Sequence, residues 1–457
     1  MGTLNVFMIL QGKGTNARWI YYLPALKQIR IMSDVFRPVA WSYSASIYEV
    51  NLRQYTPEGT INAFSREMPR LKEMGIDILW FMPITPISVA KRLGTLGSYY
   101  ACSDYTSINP EFGTLDDFAG LVKYAHELGL KVIVDIVANH TGWDHHWTRE
   151  HPEYYRRSAD GQFFDAHGWA DVIDLNYDNP ALRAAMTEVM KFWIGKTDVD
   201  GFRCDMAMLV PLDFWRAARK ELDPLKELFW LAECEEIAYH EVFDATYTWK
   251  FLHQMESFWK KESGLDGLDE VLQYYDSMFP HQAMRCYFTT NHDENSHSGS
   301  EYERLGDSAR AFEVLCCTWN GIPLIYSGQE LPLTKRLKFF DKDQIDWTGR
   351  YELADFYKAL LGLRKRNPAL RAGDVAVSTH RLHTKNDRCF AFARRKEEDV
   401  VLVLLNFSAD PLALPTEELL IQGAFRNIFT EETLDLSTRP VVTLPPWGYA
   451  VLEKIKG

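Results

Sequence analysis

The chain has 457 residues, 46% of them hydrophobic and 25% charged, a composition that argues against disorder and leaves room for two or three domains. Its 63 acidic residues outweigh 50 basic ones, and the net charge of -13 disfavours nucleic acid and anionic lipid as main partners. Aromatics reach 14%, including 14 Trp and 22 Tyr, enough to offer stacking surfaces to a neutral ligand such as a sugar as well as to fill a core.

Residues 1–43 form an N-terminal extension without clear periodicity, whose structure the sequence leaves unknown. "LNVFMIL" has no basic flank before it and no small-residue cleavage pattern after it, so it makes a poor signal peptide. No apolar run approaches the roughly 20 residues that span a bilayer. Seven cysteines, an odd number without a CxxC pair and mostly inside apolar runs, read as buried thiols. They favour a cytoplasmic setting, with secretion the reading if a leader was removed.

From residue 44 short β-branched and aromatic runs alternate with amphipathic helices. "SIYEVN" (46–51), "DILWFMPI" (77–84), "KVIVDIV" (131–137), "GFRCDMA" (201–207), "LFWLAEC" (228–234), "FDATYTW" (243–249), "RCYFTTN" (285–291) and "IPLIYSG" (322–328) are predicted strands. Before the second strand, Phe64, Met68 and Leu71 share a stripe, but Pro69 forces a kink or a restart. Thr114 opens a helix with a Thr-x-x-Asp capping box, ending near Gly129. Asn179 and Pro180 start another, with Leu182, Met186, Val189 and Trp193 inward and Gly195 expected just past its end.

Eight strand and helix units predict an α/β fold, a (β/α)8 TIM barrel over 44–372. About 40 residues between the third strand and the helix at Asn179 predict a lobe inserted over the barrel mouth, residues 138–178. After residue 373 strands alternate without helices, which predicts a separate antiparallel β-sandwich over 373–457.

"VDGFRCDMAML" (199–209) poses the functional question. Arg203 and Asp205 lie two apart in an apolar strand and so point the same way, and buried charge is costly unless paired or used. In such barrels chemistry sits at the carboxyl ends of strands, where Asp135, Asn139, His140, Arg203, Asp205, Glu233, Asn291, His292 and Asp293 all fall. Singly, each has an ordinary explanation, such as a strand-end cap or a satisfied core histidine. Together, several carboxylates on one rim would raise one another's pKa, a cost that structure alone does not explain.

"DIVANH" (135–140), "GFRCDMAML" (201–209), "AECEE" (232–236) and "TTNHDEN" (289–295) resemble the four ordered motifs of the alpha-amylase family of glycoside hydrolases. "VIDLN" (172–176) resembles the motif of the family's lobe, and "GSYYACSDYTSINPEFGT" (97–114) the stretch after its second strand. The resemblance implies a retaining hydrolase of α-1,4-glucosidic bonds in starch, maltodextrins or maltooligosaccharides. Asp205 would be the nucleophile, Glu233 the general acid and base, and Asp293 the carboxylate that holds sugar hydroxyls. Tyr100 would stack on the sugar, His140 and His292 would donate hydrogen bonds to it, Arg203 would keep Asp205 ionised, and Asp135 would support them. The chemistry needs no cofactor. Many relatives hold a structural calcium, at positions matched here by Asn139 and Asp174, both oxygen ligands suited to a hard cation.

Met208 and Leu209 depart from the Lys-His of many alpha-amylases, which removes a polar contact to the leaving-group sugar. The alternative within the enzyme class is an α-glucosidase or transglucosylase on short oligosaccharides. Trp143, His146 and Trp147 are candidates for further subsites. A non-enzymatic reading exists, since relatives of this fold serve as transporter partner subunits, but those lack the carboxylates and carry an anchor. The sequence is silent on oligomeric state.

Overall fold

The computed structural model describes residues 37–456, together with a two-residue ladder that pairs Leu10–Gln11 with Arg18–Trp19. The rest of the expected N-terminal extension lies outside the described residues.

Eight parallel strands close into a barrel: β1 (Ile47–Val50), β2 (Ile78–Phe81), β3 (Lys131–Ile136), β4 (Gly201–Cys204), β5 (Phe229–Ala232), β6 (Ala245–Tyr247), β7 (Met284–Tyr287) and β8 (Ile322–Tyr326). Each pairs with its neighbours in chain order, and β8 returns to β1 with Leu324 opposite Ile47. All eight correspond to predicted runs. The strands read as short unbroken apolar runs because their residues are buried on both faces, inside by the barrel core and outside by helices.

Local signals behave as the residues dictate. The helix before β2 stops at Ser65 and restarts at Met68 with Pro69 in its first turn, where a missing N–H costs nothing. Thr114 and Asp117 make both bonds of the capping box. The helix from Pro180 departs from expectation: it runs through Gly195 to Thr197 and ends on Asp198 in the left-handed conformation. Met190, Trp193 and Ile194 are buried there, so packing of the last turn outweighs glycine's preference for a terminus.

Between β3 and β4 the chain forms a lobe around a small antiparallel ladder of His140–Gly142 with Val172–Asp174. Gly142 lies so close to Ser88 that an added Cβ would sit 2.2 Å from its Cβ, which pins the lobe to the loop after β2. Towards the C-terminus six antiparallel strands form one sheet and Leu412–Pro415 pairs with Val441–Leu444 in a second, giving a β-sandwich. Its central strand Asp399–Asn406 is buried on both sides: Val401, Val403 and Leu405 join the barrel's core, while Leu402 and Leu404 join the sandwich's own. That double burial is why "VVLVLLNF" reads as one continuous apolar run.

Candidate active site

At the carboxyl ends of β3, β4 and β5 the backbone ladder continues past the strands. Asp205 N–H donates to Ile136 O and Glu233 N–H to Cys204 O, each at 3.0 Å, so two carboxylates are set side by side by main-chain geometry. Arg203, fully buried, sits beneath them. One of its terminal nitrogens donates to Asp205 Oδ1 at 2.9 Å and to both oxygens of Asp135 at 3.1 Å; the other donates to Glu233 Oε2 at 2.7 Å. The sequence predicted an Arg203 and Asp205 pair; the structure has one guanidinium shared by three carboxylates. Burial is affordable because each charge has a partner. Asp205 Oδ2 keeps no hydrogen-bond partner among the described residues.

Sharing one cation leaves the acids under-compensated. Burial pushes Glu233 up to about 7; Arg203 opposes this, while the charges of Asp205 and Asp293 reinforce it. Burial likewise raises Asp205 to about 6 against the pull of Arg203, with Asp135 and Asp293 adding to it. Asp135 also rises to about 6, again chiefly by burial. Arg203 favours the ionised form of Asp205, as expected, but burial outweighs it, because the same arginine serves Asp135 and Glu233 as well.

Met206 follows Asp205 with φ 40° and ψ 47°, a left-handed conformation unusual for a long side chain. That turn aims its N–H at Glu233 Oε2, 3.0 Å away, and starts the short turn Ala207–Leu209. Strain of this kind costs about 1–3 kcal/mol and persists where the surroundings enforce it.

Beyond β7, Asp293 presents a side chain 40% exposed to the cleft. Burial around it would raise its pKa, but the neighbouring His292 imidazolium brings it down to about 2. Burial would lower His292 in turn, yet Asp293 and Glu49 hold it well above the usual histidine range. Glu49 comes from β1 and contacts His292 Nδ1 at 2.5 Å. Tyr100 Oη meets His292 Nε2 at 2.8 Å and donates to Asp135 at 3.3 Å, and its ring stacks on His292. His140 is buried, and burial drops it to about 4, so it is neutral with one N–H to offer.

These groups line a cleft of about 450 Å³ that contains Tyr100, His140, Asp205, Met206, Glu233 and Asp293. Its walls are Leu93, Trp169, His297, Phe339 and Phe340, which the sequence reading did not find. The loops bearing Leu93 and Phe340 are clasped: Leu96 N–H donates to Phe340 O and Thr95 N–H to Asp341, both at 2.9 Å. The expected subsite residues behave otherwise. Trp147 packs among Tyr105, His145 and Tyr154 inside the lobe, Trp143 lies under Lys91 and donates to Ala170 O, and His146 faces a separate groove. None of the three lines the cleft. Glu49 could have been found by the argument that found Arg203, as a lone acid in an apolar strand; the loop residues carried no periodic signal.

Of the expected metal ligands, Asp174 clusters with Asp165 and His167, their ligand atoms all within 4.8 Å of one another. One buried oxygen of Asp165 and one of Asp174 lack hydrogen-bond partners among the described residues, as a cation cradle would leave them. Asn139 is adjacent in the ladder, its carbonyl accepting from Leu175 N–H, while its amide nitrogen turns to His140. The donor set fits a hard cation through its carboxylates, with one imidazole beside them.

Comparison with known proteins agrees with this geometry. The alpha amylase catalytic domain profile matches residues 43–167 and 154–351, and that of the maltogenic amylase C-terminal domain matches 380–451. The chain belongs to the alpha-amylase family and is a glycoside hydrolase of the alpha-amylase type. A crystal structure of an alpha-amylase from Lactobacillus plantarum superposes with a TM-score of 0.82 at 30% identity, covering 90% of this chain and 99% of that one. Alpha-amylase MalA of Haloarcula japonica is 27% identical over 81% of this chain, which spans 56% of that relative's length. The maltogenic alpha-amylase of Bacillus acidopullulyticus is 24% identical over 92% of this chain and 79% of its own. Among the described residues no helix is long and apolar enough to cross a membrane.

Proposed function

We propose that this enzyme hydrolyses α-1,4-glucosidic bonds of maltodextrins or maltooligosaccharides by double displacement, with retention of configuration. One observation carries the reading. Asp205 and Glu233 stand side by side on a single arginine in one cleft, Asp205 with one oxygen lacking a hydrogen-bond partner among the described residues, and burial together with the charges of Asp205 and Asp293 raises Glu233, which suits it to be the acid beside the Asp205 anion. Retaining glycosidases need that division.

Asp205 attacks the anomeric carbon through Oδ2 while Arg203 holds Oδ1. Glu233 gives its proton to the leaving oxygen and then, as a carboxylate, takes one from the incoming water. Asp293 and the protonated His292 bind the hydroxyls of the reacting sugar, Tyr100 offers its ring and His140 an N–H. Asp135 holds Arg203 in place. Asp165 and Asp174, with Asn139 beside them, would hold a calcium ion that ties the lobe's ladder to the loop at 165–167. The seven cysteines, all buried and unpaired, support a cytoplasmic location.

A second reading, transfer to a sugar acceptor, draws support from the apolar cleft walls of Leu93, Trp169, Phe339 and Phe340. Such walls exclude water and offer stacking to a second sugar. The test is a product time course from maltoheptaose, pullulan and isomaltose with Asp205→Asn beside the wild type. Shorter maltooligosaccharides, with the variant slowed roughly a thousandfold or more, support the hydrolase. Products longer than the substrate move the assignment to the transferase. Inactivity of the wild type on all three overturns both.

A further inference from the structure

At the amino ends of the barrel strands, opposite the catalytic cleft, three buried arginines converge on the turn at Asn320 and Gly321. Arg285 comes from β7, Arg364 from the helix Ala354–Arg366 and Arg394 from the sandwich strand Cys389–Lys396. Arg364 donates to Gly321 O at 2.9 Å and to Cys317 O at 3.2 Å, while Arg394 donates to Arg371 O at 3.2 Å and to Asn320 Oδ1 at 3.4 Å. Gly321 lies directly on Arg285, since an added Cβ would sit 2.3 Å from the Arg285 carbonyl oxygen. We propose that this cluster binds a small inorganic anion, which neutralises it and ties the sandwich to the barrel floor.

Charge is the first argument. Among the described residues Asp276 is the only acid in ion-pair contact with any of the three guanidiniums, 3.5 Å from Arg285. Asp77, whose charge reaches Arg364, is held by Lys365 at 2.9 Å. The rings of Tyr275 and Phe279, 5.7 and 5.4 Å from the Arg285 guanidinium, relieve that one cation in part. Three cations against one carboxylate still leave an excess of two, below the surface, where charge without a partner is strongly destabilising. Burial, reinforced by Arg364, pulls Arg394 down to about 9 although Asp276 resists, and burial pulls Arg364 down to about 10. Arginine keeps its proton at neutral pH, so both shifts register a charge short of its counterpart.

Hydrogen bonding points the same way. Nε and Nη1 of Arg285, Nε and Nη1 of Arg394 and Nε of Arg364 have no hydrogen-bond partner among the described residues. All are donors, and each belongs to a cation. A neutral ligand would satisfy some of them and leave the charge, whereas an anion answers both. The three side chains are at most 2% exposed, and Gly321 leaves no room for a methyl group beside Arg285, so a halide or a single oxyanion fits where a larger organic acid does not. Asp276, its side chain 33% exposed, and the exposed His281 near it mark the way in.

Thermal melting of the full chain at constant ionic strength, with gluconate replaced stepwise by chloride, bromide or phosphate, tests this. Linkage predicts that Tm of the wild type rises by about 2–4 °C as the small anion becomes plentiful. A rise with the halides alone identifies a halide site, and one with phosphate alone an oxyanion site. Arg394→Gln should lose the dependence and melt no lower than the wild type in gluconate, because it removes excess charge rather than one partner of a pair. Should that variant misfold, wild-type crystals soaked in bromide, or in selenate if only phosphate acts, decide the matter by anomalous density beside Arg285 and Arg394. Identical melting of the wild type in gluconate and in all three small anions, a response that survives Arg394→Gln, or soaked crystals without that density would leave these donors to water and overturn the site.

Discussion

Glu49 and His292 are joined at 2.5 Å across the barrel interior, from the first strand to the loop after the seventh, and both are buried. The carboxylate sits on the far side of the imidazole from Asp293, so His292 is gripped by acids at both ring nitrogens. This arrangement fixes the tautomer question by protonation: both nitrogens donate. Glu49→Gln removes one of the two charges that keep His292 protonated, so its pKa falls and it loses its proton at lower pH. We expect kcat/KM to fall about tenfold, or about 1.4 kcal/mol, with the loss growing toward alkaline pH, where His292 now loses its proton in addition to Glu233. An unchanged profile would make Glu49 a packing residue only.

For the wild type, activity should follow a bell between the two raised carboxyls. Asp205, at about 6, must be ionised, so activity rises with pH through that value; Glu233, at about 7, must be protonated, so activity falls above it. The limbs belong to the carboxylate cluster as a whole, since Asp135 titrates with it. Initial rates on a chromogenic maltooligosaccharide across pH 4 to 9 check this, and a plateau extending above pH 8 would contradict it.

Phe339 stacks near-parallel to Tyr100, centroids 6.3 Å apart, on the clasped wall of the cleft. Phe339→Ala should widen the cleft beside the reacting sugar, admit water and lower the ratio of transfer products to hydrolysis products. Chromatography of products from concentrated maltotriose measures that ratio.

A different buried acid bears on stability. Burial raises Glu313 well above the usual glutamate range, and the nearby Glu301 raises it further. Gln329 donates to both, and Tyr357 Oη donates to Glu313 at 2.8 Å. The folded state thus binds a proton that the unfolded chain releases near its ordinary value of about 4.3. That stability is fully present below the unfolded value and declines as pH rises toward the folded one. Glu313→Gln should flatten the decline of Tm as pH rises above about 4.3.

If a cation occupies the pocket of Asp165 and Asp174, EDTA should lower Tm of the wild type, calcium should restore it, and Asp174→Asn should be insensitive to both. Equal melting with and without chelator would leave the two carboxylates as lobe polar contacts alone.

Barrel, lobe and sandwich were legible because strand residues there are buried on both faces and read as short apolar runs between capped helices. Acids of the site were legible for the complementary reason, charges where the pattern demanded apolar residues, and Glu49 obeys the same rule although it passed unnoticed within "SIYEV". Leu93, Trp169 and Phe339 were not legible. They sit on loops whose path is set by contacts such as Thr95 with Asp341, 246 positions apart, and no local period encodes those. Gly195 misled because a glycine inside a helix resembles one that ends it.

The shared guanidinium has a consequence for inhibition. Glu49 and His292 cancel, and with Glu233 protonated Arg203 offsets only one of Asp135, Asp205 and Asp293. The seat for the reacting sugar is thus an electronegative basin, bordered by the apolar walls. An uncharged glucose feels little of this, whereas a ring carrying a protonated amine at the anomeric position imitates the positive charge that develops during bond breaking and falls into it. Such basic sugar mimics should outbind their neutral counterparts, with an advantage that fades as acidity protonates Asp205 and Asp135.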